Sequence, residues 1–237
     1  MSGSDSPVIV WFRRDLRLAD NPALAEAVDS GRPVVPLYIL DQTGDGRALG
    51  GASSWWLERS LQGLAASLDD AGAVLILRRG PAEAVLREVI DQTGAEAVFM
   101  NRRFEPDALS ADADIAHALK DDGIACRGFN GSLLARPGSV LTQADKPYKV
   151  FTPFYRTLME GLEVPPGRPA PERIRGVEGV TSEKLDDWEL YDPHPDWARR
   201  FDETAPGEAA ALKRLRDFIR RDLADYGVMR DRHGRPG

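Results

Sequence analysis

A run of five apolar residues near the start of the chain leads directly into a cluster of charged residues. Val8–Phe12 reads Val-Ile-Val-Trp-Phe, and Arg13, Arg14, Asp15 and Arg17 follow it. A continuous apolar run of this length is typical of a strand buried on both faces, as in a parallel sheet. Charged residues at the carboxyl end of such a strand lie where open α/β sheets bind their ligands. The segment therefore predicts an α/β fold with a ligand crevice beside its first strand.

Strand and helix signals alternate through the first 130 residues. Short apolar runs predict strands at Val8–Phe12, Val34–Leu40, Val74–Leu77, Ala97–Met100 and Ile124–Arg127. Helical spacing of apolar residues predicts helices at Asn21–Ser30, at Ser54–Ala71, from Pro81 through Ile90, and at Pro106–Asp122. Because crossovers between parallel strands are right-handed, this order predicts a five-stranded doubly wound parallel sheet of Rossmann-like type.

The character of the sequence changes after residue 162. Residues 163–206 are rich in proline, which prevents regular helix and favours an extended segment. Trp188, Tyr191 and Trp197 lie within this segment, and disordered linkers are poor in aromatic residues. We therefore expect a linker that lies across a surface. Helical spacing returns after Gly207 and places Leu212, Leu215, Phe218, Ile219 and Leu223 in one apolar stripe that needs a partner surface.

Other features of the sequence exclude several classes of protein. The formal net charge of −7 at pH 7 argues against a surface that binds nucleic acid throughout. No predicted strand is followed by a Gly-x-Gly-x-x-Gly fingerprint or a Walker A loop, so dinucleotide or nucleoside-triphosphate chemistry has no support. The single cysteine, Cys126, excludes an internal disulfide. His117, His194 and His233 are too scattered for a metal site, and we expect none.

The expected location of the protein is the cytoplasm. The longest apolar runs are of strand length, so the sequence predicts no transmembrane helix and no membrane partner. The first seven residues show neither the basic region nor the apolar core of a secretory signal. A single cysteine fits a reducing compartment.

The charged cluster after the first predicted strand has two interpretations. In the first, Arg13, Arg14, Asp15 and Arg17 form a paired network that braces a loop, because buried charges are usually paired. In the second, the same residues line a ligand site at the carboxyl end of the strand. Their spacing alone does not separate the two.

Several segments, in chain order, resemble one known family. Trp-Phe-Arg-Arg-Asp-Leu-Arg-Leu-x-Asp-Asn-Pro-Ala-Leu, at residues 11–24, is similar to the opening signature of the DNA photolyase and cryptochrome family. Later segments of the family's α/β domain resemble Gly51–Leu61, Asn101–Pro106, Gly138–Thr142 and Tyr148–Phe154. Residues 209–231 resemble the start of its flavin-binding helical domain. The resemblance covers nearly the whole chain.

This resemblance implies a light-driven activity. Members of the family repair ultraviolet-induced pyrimidine dimers in damaged DNA by electron transfer from a reduced FAD, after flipping the lesion into a pocket. Their α/β domain holds a second chromophore, a folate or a deazaflavin, which harvests light. Carried onto this sequence, the resemblance assigns an FAD contact to Tyr226. The antenna crevice would be lined by Arg13, Asp41, the loop Gly44–Gly51 and the segment Asn101–Asp107, which includes Asn101, Glu105 and Asp107, all at carboxyl ends of predicted strands.

Two departures from the family pattern bear on the chromophores. Folate-type members carry an Asn-Glu pair where this chain has Asp107-Ala108, and deazaflavin-type members carry an acid where it has Arg103, so both chromophores remain candidates. The Thr-Ser-x-Leu-Ser segment that grips the FAD diphosphate in the family does not follow Arg230-Asp231. We therefore expect that this chain by itself neither holds FAD tightly nor repairs dimers, and that it binds damaged DNA poorly.

The resemblance also implies a division of the chain. It predicts an α/β antenna domain over residues 1–162, a proline-rich interdomain linker over 163–206, and the start of an FAD-binding helical domain over 207–237. The first hypothesis of function is an antenna domain that lacks its catalytic half, and two alternatives remain open. One is a cryptochrome-like blue-light receptor, and the other is a stand-alone α/β module that uses helix 208–223 to dock a protein or a second copy of itself.

Overall fold

Five parallel strands form one sheet at the centre of the molecule. The structure is a computed structural model that describes residues 5–42, 49–192, 194–195, 197–201 and 206–232. The strands are β1 (Val8–Phe12), β2 (Val34–Leu40), β3 (Ile76–Arg79), β4 (Ala97–Asn101) and β5 (Ala125–Phe129). Their order across the sheet is β3-β2-β1-β4-β5, and every neighbouring pair is parallel. The predicted α/β fold with a five-stranded doubly wound sheet is therefore confirmed.

Both faces of the sheet are covered, which is why β1 is apolar at every position. Val8, Val10 and Phe12 pack into one hydrophobic cluster, whereas Ile9 and Trp11 pack into a second cluster on the opposite face. This alternation follows from the two-residue period of a strand. All five residues of β1 are buried, as a strand between two layers of helix requires.

The helices between the strands lie close to their predicted positions. They are α1 (Pro22–Asp29), α2 (Gly51–Ala71), α3 (Ala82–Thr93) and α4 (Pro106–Asp121). Helix α1 begins after Asn21, whose side chain accepts a hydrogen bond from the backbone N–H of Leu24 and so caps the helix. Helix α2 ends at Gly72, whose φ of +96° is a conformation that favours glycine.

The prediction for the third strand was wrong by two residues. Val74, predicted as its first residue, is 57% exposed, and the strand begins at Ile76 instead. The end of α2 accounts for the shift, because the backbone N–H of Ala73 still bonds to the carbonyl of Leu68. Pairing with β2 starts only where Ile76 lies opposite Leu37.

The proline-rich segment lies across the α/β unit, on which it makes specific contacts. The backbone N–H of Ile174 donates to the carbonyl of Ala71, and the N–H of Glu183 donates to the carbonyl of Leu77. Trp188 is buried, with its ring 6.1 Å from that of Tyr38. These contacts give the segment a fixed course, in keeping with its aromatic content.

In the described residues after the sheet, the α-helices are α5 (Phe151–Gly161), α6 (Glu208–Arg221) and α7 (Tyr226–Met229), with short 3-10 turns between them. Helix α5 was not predicted, and none of its residues is buried. Helix α6 falls within the predicted helix 208–223, and its apolar stripe is exposed except at Phe218, which is half-buried. Among the residues that the structure describes, no helix has both the length and the apolar character needed to cross a membrane.

Candidate functional site

Three adjoining clefts open at the carboxyl edge of the sheet. The first and third lie beside the reversal of strand order between β1 and β4, the position at which doubly wound sheets bind their ligands. Arg13 and Arg14, the two residues that follow β1, line all three clefts. The charged cluster after the first strand therefore faces a concave surface, as the second interpretation of the sequence requires.

The three clefts differ in size and in the elements that form them. The first cleft measures about 560 Å³, and its walls include Trp11, Tyr38, Asp41, Arg103 and Ala111. The second cleft, of about 750 Å³, lies between the α/β unit and the beginning of α6, and its walls include Tyr38, Trp56, Glu208 and Ala211. The third cleft, of about 410 Å³, is bounded by Asp15, Asn101, Phe104, Glu105 and Gly131.

A buried ionic cluster forms the floor of the first cleft. Nη1 of Arg13 lies 2.6 Å from Oδ1 of Asp112, and Nη2 of Arg103 lies 2.7 Å from the same oxygen. The side chains of Arg13 and Asp112 are only 7% and 10% exposed. Burial lowers the pKa of the Arg13 guanidinium, and its bond to Asp112 opposes that change. The guanidinium also lies 4.7 Å from the centre of the Trp11 ring, a cation–π distance.

Unpartnered polar atoms concentrate in this cluster. In the described part of the chain, five buried side-chain nitrogen or oxygen atoms have no hydrogen-bond partner. Four of the five are Trp11 Nε1, Arg13 Nε, Arg103 Nε and Asp112 Oδ2, and the fifth is Arg78 Nε. Buried polar groups are paired in most native proteins, and an unpaired group costs about 1–3 kcal/mol. Such a concentration is expected where a ligand or ordered water supplies the missing partners.

Asn101 braces the site from within the fold. Its Nδ2 donates to Oδ2 of Asp15 at 2.6 Å and to Oδ1 of Asn21 at 2.8 Å, which uses both of its amide hydrogens. Its Oδ1 accepts from the backbone N–H of Ala23 at 3.3 Å. The side chain thus ties the end of β4 to the start of α1 and to the loop after β1. It holds the wall of the third cleft in place without offering a free donor to a ligand.

The other residues assigned to the antenna crevice do not share one cleft. Asp41 lines the first cleft, where its Oδ2 accepts from the backbone N–H of Ala82 at 3.0 Å and caps α3. Glu105 lines the third cleft and forms an exposed ion pair with Arg14. Its own backbone N–H, and then the charge of Arg14, lower the pKa of the Glu105 carboxyl. Asp107 is exposed in the first turn of α4 and lines none of the three clefts.

Part of the predicted crevice cannot be placed. The loop Gly44–Gly51 was assigned to it, but residues 44–48 lie outside the described residues. Leu49, near the end of that loop, lines both the first and the second cleft. His233 also lies outside the described residues, and among those that the structure describes no group of acidic, histidine or cysteine side chains could hold a metal ion.

Arg17 supports the bracing interpretation of the same charged cluster. Its Nη2 donates to the carbonyls of Asp20 at 2.8 Å and Gly131 at 2.6 Å, and its Nε donates to the carbonyl of Ala19. These bonds fix the loop between β1 and α1 against the segment after β5. The bracing interpretation is therefore confirmed for Arg17, which also lines the second and third clefts. The ligand-site interpretation stays a prediction.

Tyr226, to which the resemblance assigns an FAD contact, lies at an exposed position. It begins α7, is 48% exposed, and packs edge-on against Phe218 with the ring centres 5.6 Å apart. It lines none of the three clefts. The described residues around Tyr226 do not by themselves enclose an FAD molecule. The FAD role that the resemblance implies for Tyr226 stays a prediction.

Sequence reasoning missed Asp112 and did not assign Trp11 or Tyr38 to the crevice, whereas Arg103 lies in the assigned segment Asn101–Asp107 and lines the first cleft. A signal for Asp112 was present. It precedes Ile115 by three residues and Leu119 by seven, so it lies on the buried face of α4 together with them. An acid at a core position of a helix indicates a buried cationic partner, because an unpaired buried charge is very costly.

The chain matches the family model for DNA photolyase over residues 8–172. It is 44% identical to a deoxyribodipyrimidine photo-lyase of Agrobacterium fabrum, covering 100% of this chain and 49% of that protein. It is 34% identical to cryptochrome-1 of Arabidopsis thaliana, covering 96% of this chain and 34% of that protein. The chain thus spans half or less of the length of these relatives.

The structural match agrees with the sequence match. The crystal structure of a bacterial class III photolyase from Agrobacterium tumefaciens is similar to this fold with a TM-score of 0.86 and 43% identity. The similar region covers 93% of this chain and 46% of that one. Both the family model and the relatives include β1 and the charged cluster that follows it. On this evidence the chain belongs to the DNA photolyase and cryptochrome family.

Proposed function

We propose that the α/β unit is a light-harvesting domain and that its first cleft binds a planar heteroaromatic chromophore, a folate or a deazaflavin. The observation that carries this proposal is the concentration of unpartnered buried atoms at the cleft floor. Three belong to Trp11, Arg13 and Arg103, which line the cleft, and the fourth belongs to Asp112, which is paired with both arginines. A volume of about 560 Å³ is within the range of small-molecule sites. The position at the reversal of strand order supports the same use.

The residues of the cleft suit a flat ligand that is rich in hydrogen-bond acceptors. Ile39, Leu40 and Ile115 supply apolar walls, while Arg14 and Arg103 supply N–H donors. Three of the four unpartnered atoms are donors, which favours ring carbonyls and ring nitrogens as partners. In the family such a chromophore absorbs light and passes the energy to FAD. The part of this chain is to bind the ring, orient it and exclude water from it.

A titration tests the proposal. Folic acid and 5-deazariboflavin are added separately to the purified chain, and ligand fluorescence and tryptophan fluorescence are followed. The proposal predicts saturable binding of at least one ligand with one site per chain. Absence of saturable binding for both ligands would contradict it.

Repair of pyrimidine dimers belongs, in this proposal, to a protein that also holds FAD. The exposed position of Tyr226 gives the described residues no enclosed flavin site. We therefore expect the purified chain to carry no stoichiometric flavin absorbance and to remove no dimers from irradiated DNA under blue light. Either observation in the purified chain would overturn this part of the proposal.

A further inference from the structure

One side chain ties helix α6 to the loop that walls the clefts. Glu208 is the first residue of α6, and its Oε2 accepts from the backbone N–H of Leu18 at 2.8 Å. Its Oε1 accepts from the backbone N–H of Ala19 at 2.9 Å. One carboxylate thus binds two consecutive N–H groups of the β1–α1 loop. Hydrogen bonds to an ionised carboxylate are among the stronger ones in proteins, and this geometry fixes direction as well as distance.

Burial contributes little to the attachment of α6. Leu212, Leu215 and Ile219 of its apolar stripe are between 43% and 53% exposed. Burial of apolar surface stabilises by about 25 cal/mol per Å². A stripe that stays about half exposed therefore contributes only part of the free energy that full burial would give. The two bonds of Glu208 therefore have a large share in placing the helix.

The start of α6 completes one side of the second cleft. Gly207, Glu208 and Ala211 form one wall, and Trp56 and Leu57 of α2 lie among the residues that line the rest. The second cleft also shares residues with the first, namely Arg13, Arg14, Tyr38 and Leu49. The two clefts are neighbouring parts of one depression, and a ligand that extends past Arg14 passes from one into the other.

We infer that Glu208 is a positioning residue that completes a composite binding site, so that occupancy of the clefts and docking of α6 stabilise each other. The inference rests on the proposed function, since it takes the ligand to be an elongated molecule with a planar ring in the first cleft. The remainder of that ligand lies in the second cleft against α6. Because coupling between two equilibria is reciprocal, α6 docking strengthens ligand binding by the same factor by which the ligand strengthens docking.

The first arm of the test needs no ligand. Amide hydrogen exchange is measured in the full chain, in Glu208→Ala and Glu208→Gln, and in Asp217→Asn as a matched control. Asp217 is also an acid of α6, but it bonds to Lys213 within the helix. The inference predicts at least tenfold faster exchange at Leu18 and Ala19 in Glu208→Ala, a smaller effect in Glu208→Gln, and none in Asp217→Asn. Unchanged exchange in Glu208→Ala would overturn it.

The second arm measures coupling with folic acid as the probe. The inference predicts that folic acid slows amide exchange along α6 and that Glu208→Ala raises its Kd at least about fivefold, the lower end of ordinary coupling. Asp217→Asn should leave the Kd unchanged. Equal Kd values in all variants would overturn the coupling while leaving the chromophore proposal intact. Absence of folic acid binding to the unaltered chain would overturn the coupling. Saturable binding of 5-deazariboflavin would then still support the chromophore proposal, and its absence would contradict it.

Discussion

Arg13 and Asp112 join the end of the central strand to the middle of α4 through a buried ion pair, with Nη1 and Oδ1 2.6 Å apart. The two residues are 99 positions apart in the chain. Their contact therefore fixes the distance between β1 and α4 at the carboxyl edge of the sheet. Arg103 binds the same carboxylate oxygen, so three charged side chains share one position on the cleft floor.

Replacement of Asp112 tests the energetic weight of this pair. Asp112→Asn keeps the shape of the side chain but leaves Arg13 buried without a counter-ion, which costs about 3–5 kcal/mol when one partner of a buried pair is removed. The free energy of unfolding is measured by urea denaturation. Asp114→Asn, two residues along the same helix at an exposed position, is the control and should change it by less than about 0.5 kcal/mol. Similar losses in the two variants would show that the pair has no special weight.

Replacement of Asn101 by aspartate should lower the stability of the fold. Asn101→Asp places a carboxylate beside the carboxylate of Asp15 and the carbonyl oxygen of Asn21, both of which now accept from its amide. We expect a loss of about 2–4 kcal/mol, since one carboxylate oxygen would keep the Ala23 N–H while the other would face two acceptors with no donor. Asn130→Asp, on an exposed loop, should lose less than about 1 kcal/mol in the same denaturation experiment. Equal stability of the two variants would contradict the bracing role of Asn101.

Tyr38 makes the free energy of unfolding depend on pH in the alkaline range. Burial raises the pKa of the Tyr38 phenol to about 12. An unfolded tyrosine loses its proton near pH 10, so between about pH 10 and 12 the unfolded state binds fewer protons than the native state, and stability falls as pH rises. The shift corresponds to roughly 2–3 kcal/mol. Tyr38→Phe should lack this component, and identical pH profiles of the two proteins between pH 9 and 12 would contradict the assignment.

Deletion of residues 208–237 tests whether α6 belongs to the core of the α/β unit. None of the residues of α6 is buried, so we expect the remaining chain to unfold cooperatively and to be more soluble without the exposed stripe. Urea denaturation and gel filtration of the shortened and full chains measure the two effects. Loss of cooperative unfolding on deletion would instead place α6 within the core.

The sheet was predictable because its signals are local. Val8–Phe12 is buried on both faces and is apolar throughout, and Asn21 caps α1 with a side chain that favours that position. The start of β3 was not predictable from the same signals. Val74 and Leu75 are as apolar as Ile76, and only the register with β2 decides which of them begins the strand.

The candidate site was predictable in place but not in detail. The carboxyl end of β1 was assigned to the crevice, and Arg13 and Asp41 line the first cleft. The helical period indicates that Asp112 is buried, but its partner Arg13 lies 99 positions away, and Asn101 bonds to Asn21 80 positions away. No local pattern identifies those partners. Asp107 follows Pro106 in the segment assigned to the crevice, yet it lies exposed in the first turn of α4 and lines none of the three clefts. A residue's place in a motif therefore predicts the region of the fold in which it lies, but not whether its side chain lines the site.

The central claim is that the first cleft is the chromophore site, and a matched pair of tryptophan substitutions tests it most directly. Ala111 lines the first cleft, whereas Ala113 is an exposed residue of the same helix that does not line it. Folic acid and 5-deazariboflavin are titrated into the unaltered chain, Ala111→Trp and Ala113→Trp under identical conditions. The account predicts that Ala111→Trp abolishes saturable binding, while Ala113→Trp binds like the unaltered chain. Equal binding by both variants would place the chromophore elsewhere and contradict the account.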